Sequence, residues 1–439
     1  MSAAARMPPG VPDPGTPTVF VWGFDEMEKG SRTSAPHYGI VVLALIVVAV
    51  FTALGLARFG YTSLLPAMQE GLMLTNTQTG ELQTLNLAGY LVTVVFAGML
   101  ASRYGPRVVI SLSLLVVSLA MLLTGLLPTF GAACAGRFLA GVGGAGANVP
   151  AMALVSAWFG ARRRGLAAGI GVTGSSVALI VTGPLVPAIV SAYGADGWRA
   201  GWYALGAMGL AGFILCAIFL RNQPSDRGLV PLGASEPEPR VPGDASPDWG
   251  LVYKSRRLWQ LAVIYFAFGF SYIIYSTFFV KHLVKDASLT AADAGSLWMK
   301  IGIGSLASGF IWGAVSDRFG RRFALACVFA LQGVSFAVFG LGRDMGAICA
   351  SSVLFALTAW SIPALMAAIA GDAFGPRLAP AALGLMTIVF AAGQALGPLF
   401  AGALADATGS FSPSFVIAGA VALVMGAGGS LALRNIESR

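Results

Sequence analysis

Long apolar stretches broken by short polar turns repeat from residue 38 to the end of the chain. They fall at roughly 38–66, 78–101, 107–127, 130–158, 166–191, 199–220, 258–280, 294–315, 323–341, 345–371, 381–404 and 412–433. A helix rising ~1.5 Å per residue crosses the ~30 Å hydrocarbon core of a bilayer in ~20 residues, and each stretch is about that long or longer. The pattern predicts an all-α membrane protein with 12 transmembrane helices. One long polar segment, 221–257, follows the sixth helix; Glu236-Pro237-Glu238-Pro239 and Pro242 suit a linker rather than a further domain. Residues 1–37 are rich in Pro, Gly and charge and have no apolar core, so they read as a disordered tail without a cleavable signal. The expected layout is that tail, a six-helix bundle at 38–220, the linker, a second six-helix bundle at 258–434 and a C-tail at 435–439.

Composition agrees with lipid as the outer solvent. Of the 439 residues 56% are hydrophobic and 10% charged, with mean hydropathy +0.78. Soluble domains carry charge on about a quarter of their residues, so a cytosolic enzyme, a disulfide-built secreted module and a disordered chain are all excluded. The net charge of +8 gives no case for nucleic acid, because most basic residues flank the apolar segments and there set orientation. With both termini inside, twenty of the 27 Lys and Arg fall on the cytoplasmic side. Arg199, Lys281, Lys285 and Arg343 fall outside, and Arg58, Arg137 and Lys300 lie within helices. The Arg-heavy balance, 22 Arg to 5 Lys, suggests a bacterial source, hence the inner membrane with both termini cytoplasmic. Cys134, Cys216, Cys327 and Cys349 lie in apolar runs without metal or redox spacing. With no nucleotide loop either, no cofactor is expected.

The two halves share a pattern. Gly98-Met-Leu-Ala-Ser102-Arg103-Tyr-Gly105-Pro-Arg107 follows the second helix, and Gly313-Ala-Val-Ser-Asp317-Arg318-Phe-Gly320-Arg321-Arg322 follows the eighth, 215 positions later. The same offset carries Phe159, Gly160 and Arg162 onto Phe374, Gly375 and Arg377, and an offset of 214 carries Gly183-Pro184 onto Gly397-Pro398. This is an internal duplication. The string at 313–322 resembles the signature of the major facilitator superfamily, and the resemblance spans about 38–434. It implies two pseudo-symmetric bundles that rock about a central site and open it alternately to either side. Gly98, Arg103, Gly105 and Arg107, with Gly313, Asp317, Arg318, Gly320, Arg321 and Arg322, are then the gating motif. Ser102 stands where the family usually has Asp, and Pro106 precedes the last Arg, so a carboxylate-based clasp is expected only in the second half, from Asp317 with Arg318 and Arg322. The alternative is that these loops only fix topology. Trp158 to Ser176, with its Arg162-Arg163-Arg164 turn, is similar to the helix 4–5 region of monocarboxylate and oxalate–formate carriers. Arg58-Phe-Gly-Tyr61-Thr-Ser-Leu-Leu-Pro66 is similar to bacterial facilitators of the YbfB/YjiJ type.

Charges within the bilayer are costly, which makes Arg58, Arg137 and Lys300 the most informative residues. Counted from helix ends, each lies ~10–12 Å below the outer surface, and the nearest acid is Glu81. Cations without acids at this depth point to an anionic substrate. Arg137, followed by Gly141 and Gly146, resembles a structural helix 4 arginine of the superfamily, and Glu81 is its candidate partner or a coupling group. Arg58 either binds substrate or snorkels outward. Lys300 shares a face with Gly304 and Ser308 and is the leading candidate; the monocarboxylate branch carries a cation, usually Arg, on this helix. Candidate polar and aromatic contacts are Tyr272, Tyr275, Tyr90, Asn86 and Gln394, with Trp360 and Phe390 as walls.

These features predict a secondary transporter that moves a small organic anion, a monocarboxylate above all, by alternating access. Proton symport and anion exchange stay open. The rival readings are a proton-coupled drug antiporter, which the cations oppose, and a sensor that kept the fold. An enzyme is excluded by the lack of a catalytic set in the helices. The expected partners are the anion, the lipid bilayer and protons, with no nucleic acid, and the chain is expected to work as a monomer.

Overall fold

The apolar stretches become helices whose ends are set by identifiable residues in the computed structural model, which describes residues 37–233 and 253–433. Residues 1–36 of the expected disordered tail, the middle of the linker and 434–439 lie outside the described residues. The helices are α1 (Tyr38–Gly71), α2 (Asn76–Tyr104), α3 (Pro106–Leu126), α4 (Phe130–Trp158), α5 (Ala161–Tyr193) and α6 (Gly197–Phe219). Beyond the linker come α7 (Arg256–Lys285), α8 (Ala291–Ser305, resumed as Ser308–Phe319), α9 (Arg321–Leu341), α10 (Met345–Gly375), α11 (Ala381–Thr408) and α12 (Ser412–Ala432). Ten stretches among the described residues are long and apolar enough to cross a membrane. That number differs from the expected 12 because α5 and α6 run on as one 58-residue stretch, while α8 is interrupted at Leu306 and Ala307.

Side chains that accept from free backbone N–H groups start several helices. Thr75 and Gln78 form a reciprocal cap on α2, and Thr129, Ser255, Thr290 and Asp344 cap α4, α7, α8 and α10. Gly105 at φ +84° ends α2 and starts α3; Gly320 at φ +91° does the same for α8 and α9. A side chain at either would be strained, so both copies of the duplicated motif make the same glycine turn.

Before the linker α4 packs against α2 and α3, and α3 against α6; after it α7 packs against α11, and α9 against α12 and α10. Between the halves, α2 meets α11, α5 meets α8, and the second part of α1 meets α7. Two of these contacts are related by the repeat. A Cβ on Gly80 of α2 would lie 2.2 Å from the Pro398 carbonyl oxygen of α11, and one on Gly295 of α8 would lie 2.1 Å from the Gly183 oxygen of α5. Gly80 and Gly295 are 215 positions apart, so glycine lets the backbones touch at both cross-half pairs.

Candidate functional site

The course of α1 is irregular where it matters. Between Phe51 and Phe59 its backbone widens into π-helical turns, and the Gly60 N–H donates to the Gly55 carbonyl five residues back. Such turns rotate the residues that follow relative to a regular helix. Gly55 lets this wide segment approach α5, where a Cβ would lie 2.2 Å from the Ala178 Cβ. Arg58, in the last of these turns, is only 7% exposed. Its guanidinium lies over the Tyr90 ring of α2, 4.7 Å from the centroid, and sits beside the Tyr272 hydroxyl of α7. Asn148 of α4 donates to the Tyr90 hydroxyl at 2.9 Å, and the Gln394 amide of α11 donates to Tyr272. Tyr272 also opens a ladder of nearly parallel rings. Its centroid is 4.5 Å from that of Phe268 and 6.2 Å from that of Phe390, and Phe390 is 4.4 Å from Tyr265.

Five helices from both halves thus converge on one buried cation, and its described partners include no carboxylate. Among the described residues, a ring face and a nearby hydroxyl offset its charge. A cation so placed is costly on its own and is relieved by any anion that reaches it. Arg58 and Tyr272 lie 214 positions apart, so they are repeat mates facing each other across the boundary between the halves.

The repeat also explains which expected residues lie elsewhere. Tyr275 is 214 positions after Tyr61, and Ser351 is 214 after Arg137. Tyr61 stacks under the Arg137 guanidinium at 4.3 Å in the first half; Tyr275 hydrogen-bonds Ser351 at 2.9 Å in the second, ringed by Phe336, Phe339 and Phe355. Tyr275 is therefore a core residue of its own half, away from Arg58. Asn86 donates to the Arg137 carbonyl at 3.0 Å, tying α2 to α4. Arg137 is 1% exposed and donates to the Ala57 carbonyl and, at 2.5 Å, to the Gln83 side-chain oxygen. These neutral acceptors fill the place suggested for Glu81, which is half-buried. Trp360 sits where α10 breaks and joins the halves by donating to the Ser176 hydroxyl at 3.0 Å.

Lys300 is not brought to the cluster. Gly295 and Gly302 of α8 face α5, Trp298 stacks near Phe279 of α7, and Gly304 faces Ala356 of α10. Lys300 is exposed, and no described contact joins it to Arg58. The face it was expected to share with Ser308 is broken by the interruption at Leu306 and Ala307.

The two ends of the helices differ. At the end opposite the motif turns the halves are bound together by polar contacts that sequence reasoning missed. The Asp406 carboxylate of α11 accepts from the Asn76 and Thr77 N–H groups at the start of α2, at 2.9 and 2.8 Å, and from the Thr77 hydroxyl at 2.6 Å. Lys281, 2% exposed, donates to the Asn76 side-chain oxygen at 2.5 Å, and Lys285 pairs with Glu70. A cavity of about 490 Å³ lies beside these residues. Just beyond α7, burial pushes the Asp286 carboxyl up, but hydrogen bonds from His282, the Phe411 N–H and Ser410 outweigh it and hold it below the ordinary carboxylate value. A lowered folded value means stability that is full at neutral pH and lost only as pH falls through that value. The joint between α7 and α12 is therefore expected to show no loss of thermal stability from about pH 8 down to about pH 5, checked by melting curves.

At the motif end the contacts described for both copies stay within one half. Arg107 donates to the Ala217 carbonyl at 2.6 Å, and its N–H donates to Asn222 at 2.8 Å. Asp317 pairs with Arg321 at 2.6 Å, and Arg321 also reaches Asp372 at 3.0 Å. Arg322 donates to the Leu431 carbonyl, while Arg103 and Arg318 are exposed beside Tyr104 and Phe319. The described partner of Asp317 is thus Arg321, which the expected clasp did not include.

Long apolar helices, a duplicated pattern and a buried cation between the halves define an integral membrane protein of the major facilitator type. Residues 50–430 match the family described as "Uncharacterised MFS-type transporter YbfB", and the chain belongs to that family of transporters, not enzymes. It is 25% identical to the "Probable sulfoacetate transporter SauU" of Cupriavidus necator, over 81% of this chain and 85% of that protein. It is also 25% identical to monocarboxylate transporter 11 of Homo sapiens, over 96% of this chain and 84% of that protein. The fold resembles the crystal structure of a bacterial homologue of the human lysosomal transporter Spinster, with TM-score 0.73 and 17% identity, covering 91% of this chain and 97% of that one.

Proposed function

We propose that the protein is a secondary transporter of small organic anions that works by alternating access, with Arg58 as the principal partner of the anion. The observation that carries this reading is a buried guanidinium between the halves with no carboxylate among its described partners. Tyr272, Tyr90 and Gln394 position it, and Phe390 is the wall; Trp360 joins the halves nearby, and Arg137, Asn86 and Tyr275 are structural. Relatives named for sulfoacetate and for monocarboxylates support an anionic cargo. The aromatic ladder is the one feature that favours a drug antiporter, and an uncompensated cation beside it repels a cationic drug. The chain is read as lying in a bacterial inner membrane with the motif turns cytoplasmic, because Lys and Arg gather at that side.

The test is uptake of labelled carboxylates into proteoliposomes, with and without an inward proton gradient and with and without an anion inside. Stimulation by the gradient assigns symport; stimulation only by the internal anion assigns exchange. Flux of a cationic dye with no flux of any anion overturns the proposal. Two variants separate site from scaffold. Lys300→Ala is expected to keep uptake within about twofold, since Lys300 has no described contact with the Arg58 cluster and exposed side chains without such contacts have small effects. Tyr275→Phe loses one buried hydrogen bond, which costs about 1 kcal/mol of stability, and is expected to leave the KM for uptake unchanged.

A further inference from the structure

The surroundings of Arg58 restrict which anion fits, and three observations bear on it. First, one cation is placed in the cluster. Arg137 donates to the Ala57 carbonyl and Gln83, keeps a buried Nε without a partner and is covered by the Tyr61 and Trp202 rings, and Lys300 has no described contact with the cluster. A second negative charge on the cargo would have no partner here and would lose its hydration. Second, the polar groups around Arg58 are already engaged. The Tyr90 hydroxyl is held by Asn148, and the Tyr272 hydroxyl by Gln394. A body studded with hydroxyls would find few free partners, and an unpaired buried hydroxyl is penalised. Third, Tyr272 joins the cation directly to the ring ladder, in which Tyr265, Phe268 and Tyr272 are closed off while Phe390 is part-exposed. Phe390 is stacked on the ladder and is the member of it that is not closed off.

We infer that the preferred cargo is an aryl monocarboxylate, its single carboxylate on Arg58 and its planar ring against Phe390. This rests on the anion-site reading above and narrows it. Ring-to-ring contact is favoured in offset-stacked geometry, and in an aryl carboxylate the single charge and the flat ring are held rigidly together. Small aliphatic acids satisfy the cation alone; sugar acids and dianions satisfy it while stranding hydroxyls or charge.

The experiment measures binding to the detergent-purified full chain by calorimetry, with benzoate, acetate, glucuronate, tartrate and sulfoacetate as probes. Counterflow in proteoliposomes uses the same set. Benzoate is expected to bind about tenfold more tightly than acetate and more tightly than the other three. Phe390→Leu is expected to reduce the benzoate-to-acetate ratio about threefold or more, and Phe390→Tyr to keep it. The wild-type order is decisive even if a variant fails to fold. Acetate binding as tightly as benzoate, or glucuronate, tartrate or sulfoacetate binding as tightly or more so, overturns the inference. If that binding still requires Arg58, the anion-site reading stands. Binding of every probe that is indifferent to Arg58→Met overturns both.

Discussion

Replacing Arg58 by Met is expected to lower carboxylate uptake about 100-fold in kcat/KM. Truncating one side of a buried, charge-assisted contact costs roughly 2–5 kcal/mol, and each 1.4 kcal/mol is a factor of ten. The same variant is expected to melt at the same temperature as the wild type or higher. Arg58 without cargo is a desolvated cation offset, among the described residues, by the Tyr90 ring and the nearby Tyr272 hydroxyl, so removing its charge removes a cost. That opposition of signs separates binding from scaffolding. Arg137 should behave the other way: its guanidinium holds α1 and α2 through Ala57 and Gln83, and Arg137→Met leaves those acceptors buried and unpaired. Arg58→Lys keeps the charge but loses the flat fork that covers a ring and meets a hydroxyl together, and is expected to recover only part of the uptake. A fall in uptake matched by a fall in melting temperature would show Arg58 to be structural.

Much of this was legible in the sequence because lipid imposes simple rules. Helix length, the glycine turns at Gly105 and Gly320, and the duplication follow from hydropathy and spacing. Arg58 was identifiable as a buried cation for the same reason. Helix rotation was not legible. Spacing shows that Lys300 and Gly304 are neighbours, but the glycines that touch α5, Gly295 and Gly302, decide which side of α8 turns inward. The expected face also assumed a continuous helix, and α8 is interrupted at Leu306 and Ala307. Tyr275 was misplaced although a signal existed: carried back by 214 positions it falls on Tyr61, beside Arg137 and not beside Arg58. The contacts between Asp406 and α2 were hidden because charges at helix ends are expected merely to mark the water boundary.

Those end contacts set the second large effect. Asp406→Ala is expected to shift the balance between the two access states about tenfold toward the one open at the Asp406 end. The carboxylate accepts three hydrogen bonds across the halves, two of them from the otherwise unpaired N–H groups at the start of α2, where the helix dipole adds to the attraction. Asp406 is exposed, so water competes, and the net is about 1–2 kcal/mol rather than the full value of buried charged bonds. The Lys285–Glu70 pair crosses the same boundary, but both side chains are solvated, and Lys285→Ala is expected to shift the balance less than threefold. Spin labels at Met73→Cys and Ser410→Cys, on a chain whose four free cysteines are replaced, report the distance between α1–α2 and α11–α12 turns. Asp406→Ala should broaden that distribution toward longer separations and reduce uptake, because the state that receives cargo and the state that releases it must both be populated. At the other end the motif contacts described are internal to each half, so none of those described has to break as the Asp406 contact releases. An unchanged distribution in Asp406→Ala would mean that the close approaches of Gly80 to Pro398 and Gly295 to Gly183 hold the end shut by packing alone.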